Sequence, residues 1–362
     1  MSPSGNVRLR SRAVRFDTRG PSDVAGLEAA FESGALSPAS VVCLIGKTEG
    51  NGGRNDFTRE LAVRAFSQVF ERRLGLTAAE VEERIVLSFS GGTEGVVTPH
   101  VVAFAVEPDP GSAPTGPRLA LGVGMTRAFE AHEIGRMAQV DETARAITEV
   151  ATRCGITEVH LVQMKGAITA ASYEETLRAE RAGRPLRNNM VWSRAASALG
   201  AAVATGEVAR SALADDVICQ DWSLYSTTAS CSAKPGLERT ELVVFGQSAA
   251  WGGELVIDHT VLSDVLDAPA IDALMARLGV VAGDPRLVAA FAKSEADPRG
   301  VLRGHRHTML TDDDISDTRY SRCVVAAVLA SRLGDPRVYV STRAEHHGPE
   351  GGAPVALVVR AT

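Results

Sequence analysis

A lysine, an arginine and a serine recur three times in this order, each time in similar surroundings, and a chain that repeats its polar landmarks is constrained to fold as repeated units. The lysines close apolar runs: VVCLIGK (Lys47), VHLVQMK (Lys165) and LVAAFAK (Lys293). The arginines open alanine-rich stretches: TRELAVRAF (Arg59), SRAASALGAAVA (Arg194) and SRCVVAAVLAS (Arg322). The serines (Ser90, Ser232, Ser341) follow in turn-rich segments that lead into further apolar runs. Lysine and arginine lie 29 residues apart in copies two and three and 12 apart in copy one, which places a deletion inside a loop. The repetition predicts three serine–lysine pairs around one pseudo-threefold axis.

The 362 residues divide into copies of ordinary domain size. A proline- and glycine-rich stretch, Glu107–Arg118, separates the first two, and the restart at ELVIDHTVL puts the second boundary near Trp251–Gly253. The units are read as residues 1–106, 117–250 and 253–362. In each, a helix capped by Ser or Asp and stopped by glycine (PSDVAGLEAAFESG, QVDETARAITEVATRCG, LSDVLDAPAIDALMARLG) accompanies a short buried strand ending at the lysine. Each copy reads as strand, helix, strand, helix, strand, an α/β unit. A formal charge of −6 lacks the basic footprint that nucleic acid or anionic membrane requires. Five scattered cysteines without a CxxC pair predict buried or free thiols in a reducing cytoplasm. No apolar run reaches the ~18 residues of a membrane span, and RLRSRAVRF is not followed by the apolar stretch of a secretory signal.

A serine hydroxyl attacks only when a base takes its proton. Lysine is such a base only when neutral, and its unperturbed pKa of about 10.4 leaves little free amine at pH 7. Burial and nearby arginines both depress that value. Arginine forks, serine hydroxyls and backbone N–H groups beside the serines offer donors for a polarised carbonyl oxygen. Three copies of that set suit a small flat ring with carbonyls on alternate corners. The residues by themselves leave open which pair reacts.

Five segments carry a resemblance: GKTEGNGGRNDFTRE (Gly46–Glu60), SGGTEGVVTPH (Ser90–His100), SRAASALG (Ser193–Gly200), RGHRHTMLTDDDISDTR (Arg303–Arg319) and AEHHGPEGG (Ala344–Gly352). Together they resemble the cyclic amide hydrolases, the family of cyanuric acid hydrolases and barbiturases, over essentially the whole chain. The resemblance implies the Toblerone fold, three pseudo-threefold-related α/β domains around a central axis. It implies hydrolytic opening of cyanuric acid to carboxybiuret, which loses carbon dioxide to give biuret, with no cofactor for catalysis.

It further implies Lys165 as base and Ser232 as nucleophile, with Ser230 a rival two residues away. Lys47 with Ser90 and Lys293 with Ser341 would orient the other carbonyls. Arg59, Arg194 and Arg322 would clamp substrate oxygens, Arg54 being a second candidate beside Arg59. Gly91, Ala233 and Thr342 follow the three serines and would present backbone N–H groups. A structural magnesium or calcium ion is implied at Glu295 and the carbonyls of Ala344, His347, Gly348, Pro349 and Gly352, oxygen ligands of the kind such cations take. A cytoplasmic homotetramer acting on a small cyclic imide is implied as well. Barbituric acid or another cyclic imide is the alternative substrate. Arg343 beyond Ser341, Lys234 and Pro235 beyond Ser232, and the segment Thr318–Arg322 are where that choice is expected to lie. Two other classes compete. A zinc amidase would use His305, His307, His346 or His347 with Glu345, but no HExxH or spaced CxxC appears. A non-catalytic binder of the same ring would show no turnover.

Overall fold

The apolar runs that close on a lysine become the second strands of three mixed sheets, one in each third of the chain. The computed structural model describes residues 7–53, 55–111, 114–309 and 315–362. The first third runs β1 (Leu9–Asp17), α1 (Ala25–Glu32), β2 (Val41–Thr48), α2 (Thr58–Leu74), α3 (Ala78–Arg84), β3 (Val86–Gly91) and β4 (His100–Pro108). The second runs β5 (Arg118–Met125), α4 (Met137–Cys154), β6 (Glu158–Ile168), α5 (Tyr173–Arg181), α6 (Met190–Ala204), β7 (Ala229–Pro235) and β8 (Glu241–Ser248). The third comprises β9 (Trp251–Gly252), β10 (Leu255–Leu262), α7 (Ala268–Leu278), β11 (Leu287–Ser294), the short pair β12 (Val301–Leu302) and β13 (His305–Arg306), α8 (Asp317–Leu333), β14 (Tyr339–Thr342) and β15 (Ala353–Arg360).

The strand orders are β3-β2-β4-β1, β7-β6-β8-β5 and β14-β11-β15-β10, one pattern three times, with β9 added beside β1. In each sheet the lysine strand lies parallel to the serine strand, and the register pairs Lys47 with Ser90, Lys165 with Ser232 and Lys293 with Ser341. Each lysine strand also shifts register near its start against its antiparallel neighbour, at Val41/Cys43, Val159/Leu161 and Leu287/Ala289. Such a bulge bends the strand and sharpens its twist. The threefold repetition therefore extends to backbone irregularities.

Four sequence expectations are corrected. Each unit has four strands rather than three, and the serines stand on β3, β7 and β14 rather than in turns. Those strands are only four to seven residues long, and each finds its partner far back in the chain. Helix α4 starts at Met137, so Asp141 lies inside it and is not its cap; Asp267 does cap α7 by accepting the Ala270 N–H. The residues missing from copy one correspond to more than loop: they form α5 in copy two and include the β12–β13 pair in copy three.

The inner faces of the three sheets share one core, in which the rings of Phe104, Phe245 and Phe291 meet with centroids 5.1–6.3 Å apart. Helices cover the outer faces. Small residues let α6 lie close on its neighbours: a Cβ at Gly200 would come within 2.7 Å of Thr143 Cβ on α4. Below the lysine layer, Gln163 Nε2 donates to Ser88 Oγ (3.1 Å) and Tyr339 Oη (3.2 Å), tying the three units with one buried polar group from each. Among the described residues no helix is long and apolar enough to cross a membrane.

Candidate active site

Because the three sheets share one axis, the repeated side chains converge. A cavity of about 680 Å³ is lined by Ser90, Ser232 and Ser341 together with Arg59, Arg194 and Arg322, so every unit contributes its repeated serine and arginine. Its volume lies in the usual range for small-molecule sites. Gly91, Thr342 and Arg343 reach the same cavity. Ala233 does not; with Lys165 and Lys234 it faces a smaller cavity of about 190 Å³. Arg54 lies outside the described residues.

The lysines are buried beneath the serines, at 1%, 8% and 0% exposure for Lys47, Lys165 and Lys293. Lys165 Nζ contacts Ser232 Oγ at 2.8 Å and donates to the Phe89 carbonyl at 2.9 Å. Lys293 Nζ contacts Ser341 Oγ at 3.1 Å. Lys47 differs: its Nζ pairs with Glu94 Oε1 at 3.0 Å and donates to the Val340 carbonyl, while Ser90 Oγ turns to that same carbonyl. Ser230 sits one layer lower on β7, buried, with its hydroxyl unpartnered among the described residues.

Two of the three lysines also reach into a neighbouring unit, while among the described residues Lys293 bonds only Ser341 and the Thr342 carbonyl of its own. Lys165 bonds the carbonyl preceding Ser90, and Lys47 bonds the carbonyl preceding Ser341. The charges follow a rotation through all three units. Burial and then Arg59 lower the pKa of Lys165 to about 7. Burial and then Arg194 lower Lys293 to about 8. Burial lowers Lys47 to about 8, with Glu94 opposing and Arg322 assisting. Lys165 is thus the amine most readily neutral near pH 7.

Two carboxylates complete the ring: Glu94, which sequence reasoning missed, and Glu345, raised there only beside the zinc candidates. Glu94 faces both Lys47 and Arg322, and Glu345 accepts Arg194 Nε (2.8 Å) and Nη2 (2.7 Å) in a fork. Glu94 and Glu345 each stand four residues after their serine, Ser90 and Ser341, whereas Gly236 holds that place after Ser232. This asymmetry was present in the sequence as a signal, and it singles out the middle unit. Arg59 is less enclosed, donating to the Gly53 carbonyl at 2.7 Å. Arg343 pairs with Asp317 at the start of α8, and Lys234 with Glu60, so both hold a carboxylate. Ser316, Thr318 and Arg319 line the wall opposite.

Two of the four histidines raised as zinc ligands are otherwise engaged. His346 accepts the Cys219 N–H and donates to the Leu224 carbonyl; His347 accepts the Cys231 N–H at 3.0 Å and donates to the Glu345 carbonyl. Both rings spend both nitrogens on backbone, and His347 ties the C-terminal loop to the residue before Ser232. His305 is exposed on β13 and His307 lies against Tyr320.

Glu295 lies on this loop's underside. Its Oε2 accepts the Ala344 N–H at 2.7 Å, and burial followed by the charge of Glu345 raises its pKa to about 7. A buried carboxyl held up in this way is one that a cation would neutralise. The Ala344 and Pro349 carbonyls each accept one backbone N–H, from His347 and Gly352, leaving one lone pair apiece. The donor set fits a hard cation.

Residues 12–360 match the sequence family described as amidohydrolase ring-opening protein. A cyanuric acid amidohydrolase from Enterobacter cloacae is 43% identical, the match covering 97% of this chain and 100% of its own. One from Pseudomonas sp. (strain ADP) is 44% identical, covering 96% and 98%. A solved cyanuric acid hydrolase superposes with a TM-score of 0.91 at 42% identity, covering 98% of this chain and 100% of that one. The crystal structure of the enzyme from A. caulinodans gives 0.86 at 40% identity, with the same coverage.

Proposed function

Because the chain belongs to the ring-opening amidohydrolase family, we propose that it hydrolyses cyanuric acid, with Ser232 as nucleophile and Lys165 as its base. The observation that carries this reading is the 2.8 Å contact between a buried, charge-depressed amine and a hydroxyl at the wall of the central cavity. A neutral amine has two N–H groups and one lone pair. One N–H is spent on the Phe89 carbonyl, which leaves the lone pair for the Ser232 hydroxyl proton.

As that proton passes to Nζ, Oγ bonds to a ring carbonyl carbon. The tetrahedral intermediate collapses by breaking the ring C–N bond, and the ammonium of Lys165 returns the proton to the departing nitrogen. Water, deprotonated by the same amine, then attacks the serine carbamate; the Oγ–C bond breaks and the ammonium returns the proton to Ser232 Oγ. The product is carboxybiuret, which loses carbon dioxide to give biuret. The other two serines and the arginines hold the remaining carbonyls, and one such donor is typically worth about 3–4 kcal/mol in the transition state. Relatives named for cyanuric acid favour it over barbituric acid. Assaying both compounds side by side and identifying each ring-opened product tests the choice; faster opening of barbituric acid would overturn it.

A magnesium or calcium ion held by Glu295 and the carbonyls of Ala344, His347, Gly348, Pro349 and Gly352 would supply charge compensation and lock the loop that carries Glu345. Adding either ion at about 100 times its Kd to chelator-treated protein is expected to stabilise it by about 2.7 kcal/mol. Glu295→Gln should lose that gain in a thermal melt; an unchanged gain would remove Glu295 from the site. The resemblance extends the proposal to a cytoplasmic homotetramer, whose mass light scattering reads directly.

A further inference from the structure

The seam between the second and third sheets carries a cluster that ring opening does not use. His160 on β6 and Asp258 and His259 on β10 each bring one ligand atom within 4.8 Å of the others. The two Nδ1 atoms are 2.9 Å apart, and Asp258 Oδ1 lies 3.6 Å from His160 Nδ1. Five residues of one strand separate His160 from Lys165, roughly 16 Å at the usual rise per residue, so the cluster is remote from the hydrolytic centre.

The surrounding bonds constrain the protons. Thr227 Oγ1 donates to Glu207 and lies 3.3 Å from His259 Nε2, so Nε2 carries the proton and Nδ1 a free lone pair. Asp258 Oδ2 is taken by Arg277 Nε (2.7 Å), while among the described residues Oδ1 accepts only the His259 N–H (2.7 Å). His160 Nε2 is buried and has no hydrogen-bond partner among the described residues. If His160 merely donated Nδ1–H to His259, that Nε2 would be an unpaired buried acceptor, which proteins avoid. If both Nδ1 lone pairs met one cation, the proton would move to Nε2. There it would face Glu158 Oε2, 3.7 Å away, the outer carboxylate arrangement usual for metal-bound imidazole.

Two imidazoles and a carboxylate are a ligand set for zinc-type ions, with a fourth place for water. Two ligands on a tetrahedral ion at zinc–nitrogen distances stand about 3.4 Å apart, a few tenths of an ångström from the present spacing. We propose that His160, His259 and Asp258 form a site for a zinc-type divalent ion that pins the second unit to the third.

The test uses the full chain, dialysed against chelator and returned to saturating Mg²⁺ so that hard-cation positions are filled. Titration with Co²⁺ is expected to give the visible ligand-field band of four-coordinate cobalt at one ion per chain, and Zn²⁺ should displace it and raise Tm. His160→Gln and His259→Gln should each weaken Co²⁺ binding at least about 100-fold while ring opening stays within about twofold of wild type. Should either variant fail to fold, Asp258→Asn serves in its place. Absence of the band, or a band of equal strength in the variants, overturns the proposal.

Discussion

Alanine at Lys165 or at Ser232 is expected to abolish ring opening, lowering kcat by at least about 10⁴-fold. The two groups act as one unit, so the double variant should be no slower than either single one. Lys165→Met keeps the apolar stem of the buried side chain and removes only the amine, which separates lost chemistry from lost packing. Circular dichroism and urea unfolding report whether each variant remains folded. Lys47 provides the contrast, because its ammonium is already paired with Glu94. Wild-type turnover in Lys165→Met or Ser232→Ala would assign the reaction to another pair.

The second large effect is expected at Arg194. Its guanidinium and the Glu345 carboxylate are both nearly fully buried and joined by two hydrogen bonds. Burial alone would raise the Glu345 pKa, but Arg194 reverses that and holds it below the ordinary value. Arg194→Ala leaves this carboxylate without its partner, a change that typically costs about 3–5 kcal/mol of stability. If Arg194 clamps a ring oxygen as proposed, the variant also loses that donor, which typically costs about 10²–10³ in kcat. Arg194→Lys restores charge without the fork and should recover stability better than turnover. Since the folded pKa of Glu345 is depressed, the pair's contribution is full above the unfolded value and disappears as pH falls through the folded one. Urea midpoints for wild type and Arg194→Ala should therefore converge in acid; midpoints that differ equally at pH 7 and in acid would contradict this.

Much of the fold was legible because the landmarks repeat: lysine, arginine and serine keep their order, and the register joins each lysine to its serine. The serine strands were not legible. A run such as VLSFSG is too short to declare itself, and its partner is a parallel strand some 40 residues earlier. Reading for symmetry also hid what breaks it. Glu94 and Glu345 repeat, Gly236 does not, and the unit without the carboxylate is the one whose lysine is most depressed. His346 and His347 looked like metal ligands because sequence cannot show that both nitrogens of each ring are spent on backbone. The His160–His259 contact was invisible for the opposite reason: its members are 99 residues apart and belong to different units.

Only four lysines occur in this chain: Lys47, Lys165, Lys234 and Lys293. Selective ¹³C labelling of lysine therefore yields four side-chain signals, and the Lys165→Met spectrum assigns the one that matters. Following that signal from pH 5 to 10 tests most directly whether a neutral amine primes Ser232. A midpoint at about 7 is the expected result; a Lys165 amine still protonated above about pH 9 would contradict it.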